Sequence, residues 1–434
     1  MDKMADVLGR AGAWCGQNKY LSAIKNAFQN FMPLTIAGAI GVLWCNVLVN
    51  DQTGLGLFFK PIMALDFLNP AFQAVNFCTI SCITVGITLG IAQEIGVWNM
   101  GAERAGYIPG LVGLAAWLSV TNTSHMVDGA KEAFTGIAGN ELGATGLFTG
   151  MIIGVLSVEL FCFFEKQDAL KIKMPEQVPP GVARAFEVLV PATITLIITA
   201  CIGSACYNLT GLYLNDVIKN GIQGPLGAVG ATIPGVMIIY LVIMLFWLVG
   251  IHGNNMLSAV KEALFTPLAL ENVEAFNKHQ TPKNIINMYA LQMWGEFGGS
   301  GVTIGLVIAI MIFGKREDNK AIATLSLVPG LFNINETVTF GIPMVLNPIL
   351  GIPFVVAPLV TIIIGYVLTV IGFCPVACLT VPWTCPPIVF GFLACGANVM
   401  GAVTQAILIV VSTVIYVPFL ISYEKYQNKQ AAEA

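Results

Sequence analysis

Long apolar runs separated by short polar turns set the rhythm of this chain. Runs that can cross roughly 30 Å of hydrocarbon, about 20 residues each, lie near 28–49, 75–95, 105–122, 145–164, 185–207, 226–250, 297–313, 338–350 continued by 353–373, and 400–422. Counting the 338–373 stretch as two predicts about ten transmembrane helices. Between 320 and 400 the pattern is interrupted by Pro329, Pro343, Pro348, Pro353, Pro358, Pro375, Pro382, Pro386 and Pro387. A bilayer tolerates broken helices only where protein buries them or where they line an aqueous cavity. The interesting region is therefore expected in the second half. Ahead of the first run, Met4, Val7, Leu8, Ala11, Trp14 and Cys15 recur at three- and four-residue steps. That spacing predicts an amphipathic helix in the cytoplasmic interface, with a solvated terminal helix as the alternative. Lys3, Arg10, Lys19 and Lys25 are spread among these apolar positions, which is not the layout of a signal peptide.

The longest polar stretch, EKQDALKIKMPEQVPPGVA at 165–183, separates simple hydrophobic spans from a half rich in Pro, Asn and Gly. The expected organisation is an interfacial helix at 1–27, a scaffold at 28–210, a connecting segment at 211–225, a substrate-binding domain at 226–423 and a tail at 424–434. Basic residues favour cytoplasmic loops. Lys166, Lys171, Lys173 and Arg184 after the fourth span, and Lys425 and Lys429 at the end, place both termini in the cytoplasm, while Lys60, Lys131 and Lys219 stand singly in outer loops. Lys315, Arg316 and Lys320 after the seventh span break the alternation. Either a re-entrant pair around 254–285 changes the parity or the rule fails there.

Composition strengthens this picture. Only 10% of the 434 residues are charged, where soluble chains carry roughly 25%; 56% are hydrophobic and 45 are Gly, and mean hydropathy is +0.80. The fold class is all-α, a polytopic membrane protein with close helix contacts. A soluble enzyme, a nucleic-acid binder and a disordered scaffold are excluded, and a net charge of −4 offers no basic field for nucleic acid. The 11 cysteines are scattered; the pairs Cys78/Cys82 and Cys374/Cys378 lie four apart in apolar runs and read as buried, reduced packing residues. With three His and no ligand-spaced motif, no metal site is expected.

Ionisable groups at membrane depth are costly and usually face a cavity where they work. One cluster is Gly250-Ile251-His252-Gly253-Asn254-Asn255, where glycines on both sides of His252 let a ligand approach the imidazole; the alternative is a His that ends a helix and bonds its free carbonyls. The other is Asn333-Ile334-Asn335-Glu336-Thr337, a dense set of donors and acceptors suited to hydroxyl groups; the alternative is an interfacial loop with a solvated Glu. Glu296, in WGEFGGSG, is a weaker candidate, because its glycines suggest helix packing and a capping role serves equally. Trp383, in the Pro-rich VPWTCPP, offers a flat face for a pyranose ring or anchors the interface; Trp247 and Trp294 are weaker alternatives. Glu94 and the Glu103-Arg104 pair read as surface or capping groups.

GIHGNN at 250–255 and FNINETVTFGIP at 332–343, together with NAFQNFMPLTIAGAI at 26–40, TPLALEN at 266–272, EFGGSGVTIGL at 296–306 and NPILGIPFVVAPL at 347–359, resemble the permease subunit, EIIC, of the bacterial sugar phosphotransferase system, in its lactose/cellobiose/diacetylchitobiose family. The resemblance runs over nearly the whole chain. It implies a homodimer of the inner (plasma) membrane, with an N-terminal dimerisation domain and a C-terminal domain whose re-entrant hairpins enclose one disaccharide. By position His252 and Glu336 match the family's polar pair at the sugar, with Asn254, Asn255, Asn333 and Trp383 as neighbours; Asn335 and Glu296 join the candidate sugar ligands from the residues alone. The family moves sugar by a rigid-body shift of the substrate domain, and a cytosolic EIIB, charged through EIIA, passes phosphate from a phosphocysteine to the sugar 6-hydroxyl. Because no soluble extension follows Tyr426 beyond QNKQAAEA, EIIB and EIIA are expected on separate chains, and no cofactor is expected to be bound. Two other classes compete: a proton-coupled symporter that releases unmodified sugar through Glu336 and His252, and a pore, for which no filter-like segment is found. The identity of the disaccharide is left open.

Overall fold

The structure, a computed structural model, describes residues 10, 14, 17–51, 55–125, 134–175, 177–225, 230–342, 344–345 and 347–433. Most of the amphipathic pattern expected in 1–27, Lys131 and Pro343 lie outside the described residues. In chain order the main helices are α1 (Lys19–Leu43), α2 (Ile83–Met100), α3 (Ile108–Val120), α4 (Ala144–Glu165), α5 (Pro180–Thr210), α6 (Ile233–Leu248), α7 (Ser258–Asn277), α8 (Met288–Gly295), α9 (Ile304–Phe313), α10 (Glu317–Leu331), α11 (Glu336–Gly341), α12 (Gly351–Val370), α13 (Val389–Ala394) and α14 (Val399–Glu433). The described strands are one two-residue antiparallel pair, Ser124–His125 with Phe134–Thr135.

Among the described residues five helices are long and apolar enough to cross a membrane: α1 with its extension to Leu48, α4, α5, α12 and α14. A sixth span forms if Lys60–Ser81 and α2, which meet at a 42° bend, are taken together. The remaining apolar runs give the shorter helices α3, α6 and α9. The run at 338–350 is not a span. It holds α11, six residues long, and then turns up to Leu350. There the Asn347 side chain accepts from the Ile349 and Leu350 N–H groups at 2.9 and 2.8 Å, which fixes the turn just ahead of α12.

By compactness the chain divides into two units that are not consecutive halves: 17–38 with 74–227, and 39–73 with 228–434. The first unit is a bundle of regular helices. On α2 the residues Ile83, Ile87, Ile91 and Ile95 repeat every fourth position and are all buried. Small residues let the neighbours come close: Gly96 faces Pro109, Gly113 faces Ala92, and Gly150 lies against Thr84 and Thr88. Charge gathers at one end. Glu165, buried at the end of α4, receives Arg104 at 2.8 Å and Arg184 at 3.0 Å, and Glu187 joins Arg184 at 2.8 Å. The expected Glu103-Arg104 pair is thus replaced, because Arg104 turns to carboxylates on α4 and α5. Glu94 accepts from Asn26 at 2.9 Å and so ties α1 to α2.

The second unit is held by polar side chains that bond to irregular backbone. Asn272, the last residue of the TPLALEN segment, donates to the carbonyls of Asn284 and Ala377 at 2.8 and 3.0 Å and accepts from the N–H of Asn284 at 3.0 Å. Asn287 donates to Ala377 O at 3.1 Å and caps α8 through its oxygen. Gln405 on α14 accepts from Ile388 and Gly391 N–H, both at 2.8 Å, and donates to Met293 O. Each bond supplies a partner to a backbone group that no regular helix satisfies. All described cysteines are free. Cys374 and Cys378 are buried as the spacing predicted, but Cys78 is exposed and Cys82 half-buried, since the helical turns around 77–81 leave that face open.

Candidate functional site

Four loops of the second unit meet: 250–257, 296–303, 332–336 and 382–385. The chain reaches the first by a left-handed turn at Gly250, φ +81°, a conformation that favours glycine. Gly253 is needed for a different reason, because a Cβ there would strike the Ile243 carbonyl. Both glycines therefore serve the backbone. They present His252 as the N-cap of a short helix, Gly253–Met256, with Nδ1 accepting from the Asn255 N–H at 3.2 Å. His252 begins a helix instead of ending one. A neutral imidazole that accepts at Nδ1 carries its proton on Nε2, so Nε2 is left as a donor. The ring lies 4.5 Å from that of Trp247, which is itself buried against Phe354. Trp247, the less favoured tryptophan, is thus what holds the imidazole. Trp294 is buried elsewhere and packs on Gly365.

The second loop, EFGGSGVT, packs on α12 at Gly301, which lies against Phe354, and is also a sharply turned segment. Gly298, Gly299 and Gly301 have φ of +70°, +89° and +82°, and Val302 follows at +49°. A run of left-handed residues needs glycine and outside support. Tyr416 supplies part of it by donating to Gly301 O at 2.8 Å, and the third loop supplies the rest. Asn333, itself left-handed at φ +62°, accepts from Gly298 N–H at 2.6 Å and donates to the carbonyls of Trp383 and Cys385. Asn335 is buried and donates to Ser300 O at 2.7 Å; a Cβ on Gly299 would come within 2.7 Å of its side chain. Asn333 and Asn335 are therefore spent on joining the loops. Asn254 reaches the same place, donating to Ser300 Oγ at 2.9 Å.

Glu336 opens α11, where a carboxylate suits the exposed N–H groups of the first turn. Its side chain is exposed, and its loop is tied to that of His252 through Ser300, which Asn335 and Asn254 both bond. The structure thus joins the loops of the two motifs in which these residues, 84 positions apart in sequence, stand. Asn255 is exposed beside His252, and the Trp383 side chain is 44% exposed above the backbone that Asn333 holds. Glu296 ends α8 but does more than cap it. It pairs with Lys261, and its same oxygen, Oε1, accepts from Tyr240 OH at 2.7 Å.

Lys261, Tyr240 and Ser300 escaped the sequence reading. Lys261 is 6% exposed and interrupts the apolar stretch SAVKEALF, the one signal that could have found it. Among the described residues no group of His, Cys, Asp and Glu could hold a metal.

Comparison with known proteins places this geometry. The family model described as "Phosphotransferase system, EIIC" matches residues 25–358. The chain is 32% identical over 429 residues to the oligo-beta-mannoside-specific EIIC component of Bacillus subtilis (strain 168), covering 98% of this chain and 94% of that one. It is 29% identical to the cellobiose-specific EIIC component of Lactococcus lactis subsp. lactis (strain IL1403), covering 98% of each. The crystal structure of the transporter ChbC, the IIC component of the N,N'-diacetylchitobiose-specific phosphotransferase system, superposes with a TM-score of 0.88 at 29% identity over 97% of both chains.

Proposed function

The chain belongs to the EIIC family of the phosphotransferase system and is a multi-pass membrane subunit of a sugar permease, and from that premise we propose that it carries a β-linked disaccharide of the cellobiose or diacetylchitobiose kind to phosphorylation at the 6-hydroxyl. The observation that carries this reading is that the loops bearing His252 and Glu336 are joined at Ser300 through Asn254 and Asn335, with Asn333 tying in the loop at 382–385. The relatives named for cellobiose, oligo-β-mannoside and diacetylchitobiose support the substrate class. The phosphotransferase family does not favour the symporter reading.

In this mechanism His252 donates from Nε2 to a ring oxygen or hydroxyl, because Nδ1 already accepts a backbone N–H. That leaves Glu336 as the acceptor that orients the 6-hydroxyl and takes its proton. The oxygen then bonds to phosphorus as the sulfur–phosphorus bond of a phosphocysteine on EIIB breaks, and the sulfur leaves as thiolate. Phosphoryl transfer is governed by positioning and charge placement, so the subunit needs no nucleophile or cofactor of its own. Trp383 offers its exposed face to a sugar ring, and Asn255 a polar edge. The reading includes a homodimer with both termini in the cytoplasm, where EIIB and, through it, EIIA would act.

Vesicles bearing the protein test this directly. Labelled cellobiose and diacetylchitobiose are offered with and without phosphoenolpyruvate and the soluble components, and the internal product is identified. Sugar phosphate should appear only with the complete relay. Free sugar accumulating on a proton gradient would overturn the reading.

A further inference from the structure

Lys261 has no part in the scheme above, yet it is the most thoroughly enclosed cation beside the site. Its side chain is 7% exposed. It pairs with Glu296 Oε1, reaches Asn254 Oδ1 at 3.4 Å, and lies 5.5 Å from the centre of the Tyr240 ring. An ammonium can only donate, so its place beside Asn254 fixes which way that amide points. Oδ1 must face Lys261, and Nδ2 must face Ser300, where it donates at 2.9 Å. The amide nitrogen has two hydrogens, and Ser300 takes one. Glu296 is constrained in the same way: Lys261 and Tyr240 both donate to Oε1, which turns Oε2 away from them.

We infer that Lys261 is a positioning residue that presets a donor, the second Nδ2 hydrogen of Asn254, and an acceptor, Oε2 of Glu296, as a pair that reads one hydroxyl or one amide of the sugar. A hydroxyl both donates and accepts, and so does an N-acetyl amide; a site prepared with one partner of each kind matches either and rejects groups that can only accept. The charge serves the same end. The Lys261 ammonium compensates the Glu296 carboxylate in an enclosed setting where a lone charge is costly. The inference rests on the reading that sugar binds beside His252 and Glu336.

Lys261→Met alone would leave Glu296 without its cation and endanger folding. The informative variant is Lys261→Met combined with Glu296→Gln, which removes both charges together. Its melting temperature in detergent should stay within a few degrees of the parent. Its sugar affinity should fall roughly 10- to 100-fold, the loss expected for one or two charge-assisted hydrogen bonds. In the reconstituted relay KM should rise by the same factor, while kcat at saturating sugar stays within about threefold, since the groups at the 6-hydroxyl are untouched. Sugar affinity within threefold of the parent in a folded double variant would overturn the inference. His252→Ala and Glu336→Gln measured alongside separate the two levels. If neither alters sugar binding or phosphorylation, the site itself is misplaced; if they do and the double variant does not, only the role of Lys261 fails.

Discussion

The two units solve the same problem, satisfying a backbone in a low-dielectric setting, by opposite means. In 17–38 with 74–227 most of the backbone satisfies itself within regular helices and the core is mainly packing, as in the isoleucine stripe of α2 and the contacts of Gly96 and Gly113, with a few side-chain bonds to backbone from Thr84 and Gln93. In 39–73 with 228–434 the helices are short or interrupted, and Asn272, Asn287, Asn333, Asn335 and Gln405 complete the bonding of the loops between them. The first arrangement is tolerant and chemically blank. The second is costly to assemble, because every buried polar group must find its partner, but it leaves carboxylates, amides and an imidazole converging on one place. On the function proposed above, the second unit is the one equipped to hold a sugar.

If that contrast is right, substitutions in the second unit should strike function, and those in the first should strike stability. The largest effect is expected for Glu336→Gln. Loss of a general base costs about 10²- to 10⁴-fold, so sugar phosphorylation by the complete relay should fall by about that factor while equilibrium sugar binding changes less than tenfold. A comparable loss of binding would make Glu336 a ligand only. Asn333→Ala comes next and joins both effects. It removes three hydrogen bonds and an asparagine suited to its left-handed backbone, which together cost about 2–4 kcal/mol. Melting should drop by several degrees, and sugar affinity should fall with it, since the Gly298 and Trp383 loops lose their tie. An unchanged affinity in the folded variant would mean that those loops do not shape the site.

The contrast also explains what could be read from the chain. Helices α4, α5, α12 and α14 lie where uninterrupted apolar runs predicted them, because a self-satisfied helix is announced by its own composition. His252 and Glu336 were legible because glycine, asparagine and charge crowd into two short motifs. Lys261 was not, since its partners Glu296 and Asn254 lie 35 and 7 residues away and a Lys-Glu step in a helix that also carries Glu271 and Glu274 forms no distinctive local pattern. The EFGGSG glycines were read in part for the same reason: a left-handed turn and a helix contact both call for glycine, and Gly301 serves both, at φ +82° against Phe354. Among the described residues the run at 338–350 holds only the six-residue α11, because hydropathy does not record the turn at Asn347 that precedes α12.

In the first unit Gly150→Val should act on stability alone. The new Cβ would press on Thr88 Oγ1 and the Thr84 methyl, and overpacking of this kind costs about 1–3 kcal/mol. Melting should fall by a few degrees, while the folded fraction keeps the KM and kcat of the parent. A shifted KM would show that packing in this unit reaches the sugar and would weaken the division of labour.

Glu165→Gln is the smallest change expected and the one that asks whether the first unit is truly chemically blank. Glu165 is 3% exposed and receives two arginines, and removing one member of a buried pair is usually harmful because the other is left uncompensated. Here three features limit the cost. Glutamine keeps a carbonyl oxygen for the Nε of Arg104 and the Nη1 of Arg184, Glu187 continues to pair with both arginines, and the Arg104 side chain is 48% exposed, so solvent screens much of its charge. A loss of about 1 kcal/mol follows, visible as a small drop in melting temperature that added salt should shrink further. Uptake kinetics should be unchanged. A defect in phosphorylation without a stability loss would give this charge cluster a role in the transport cycle and overturn the contrast between the two units.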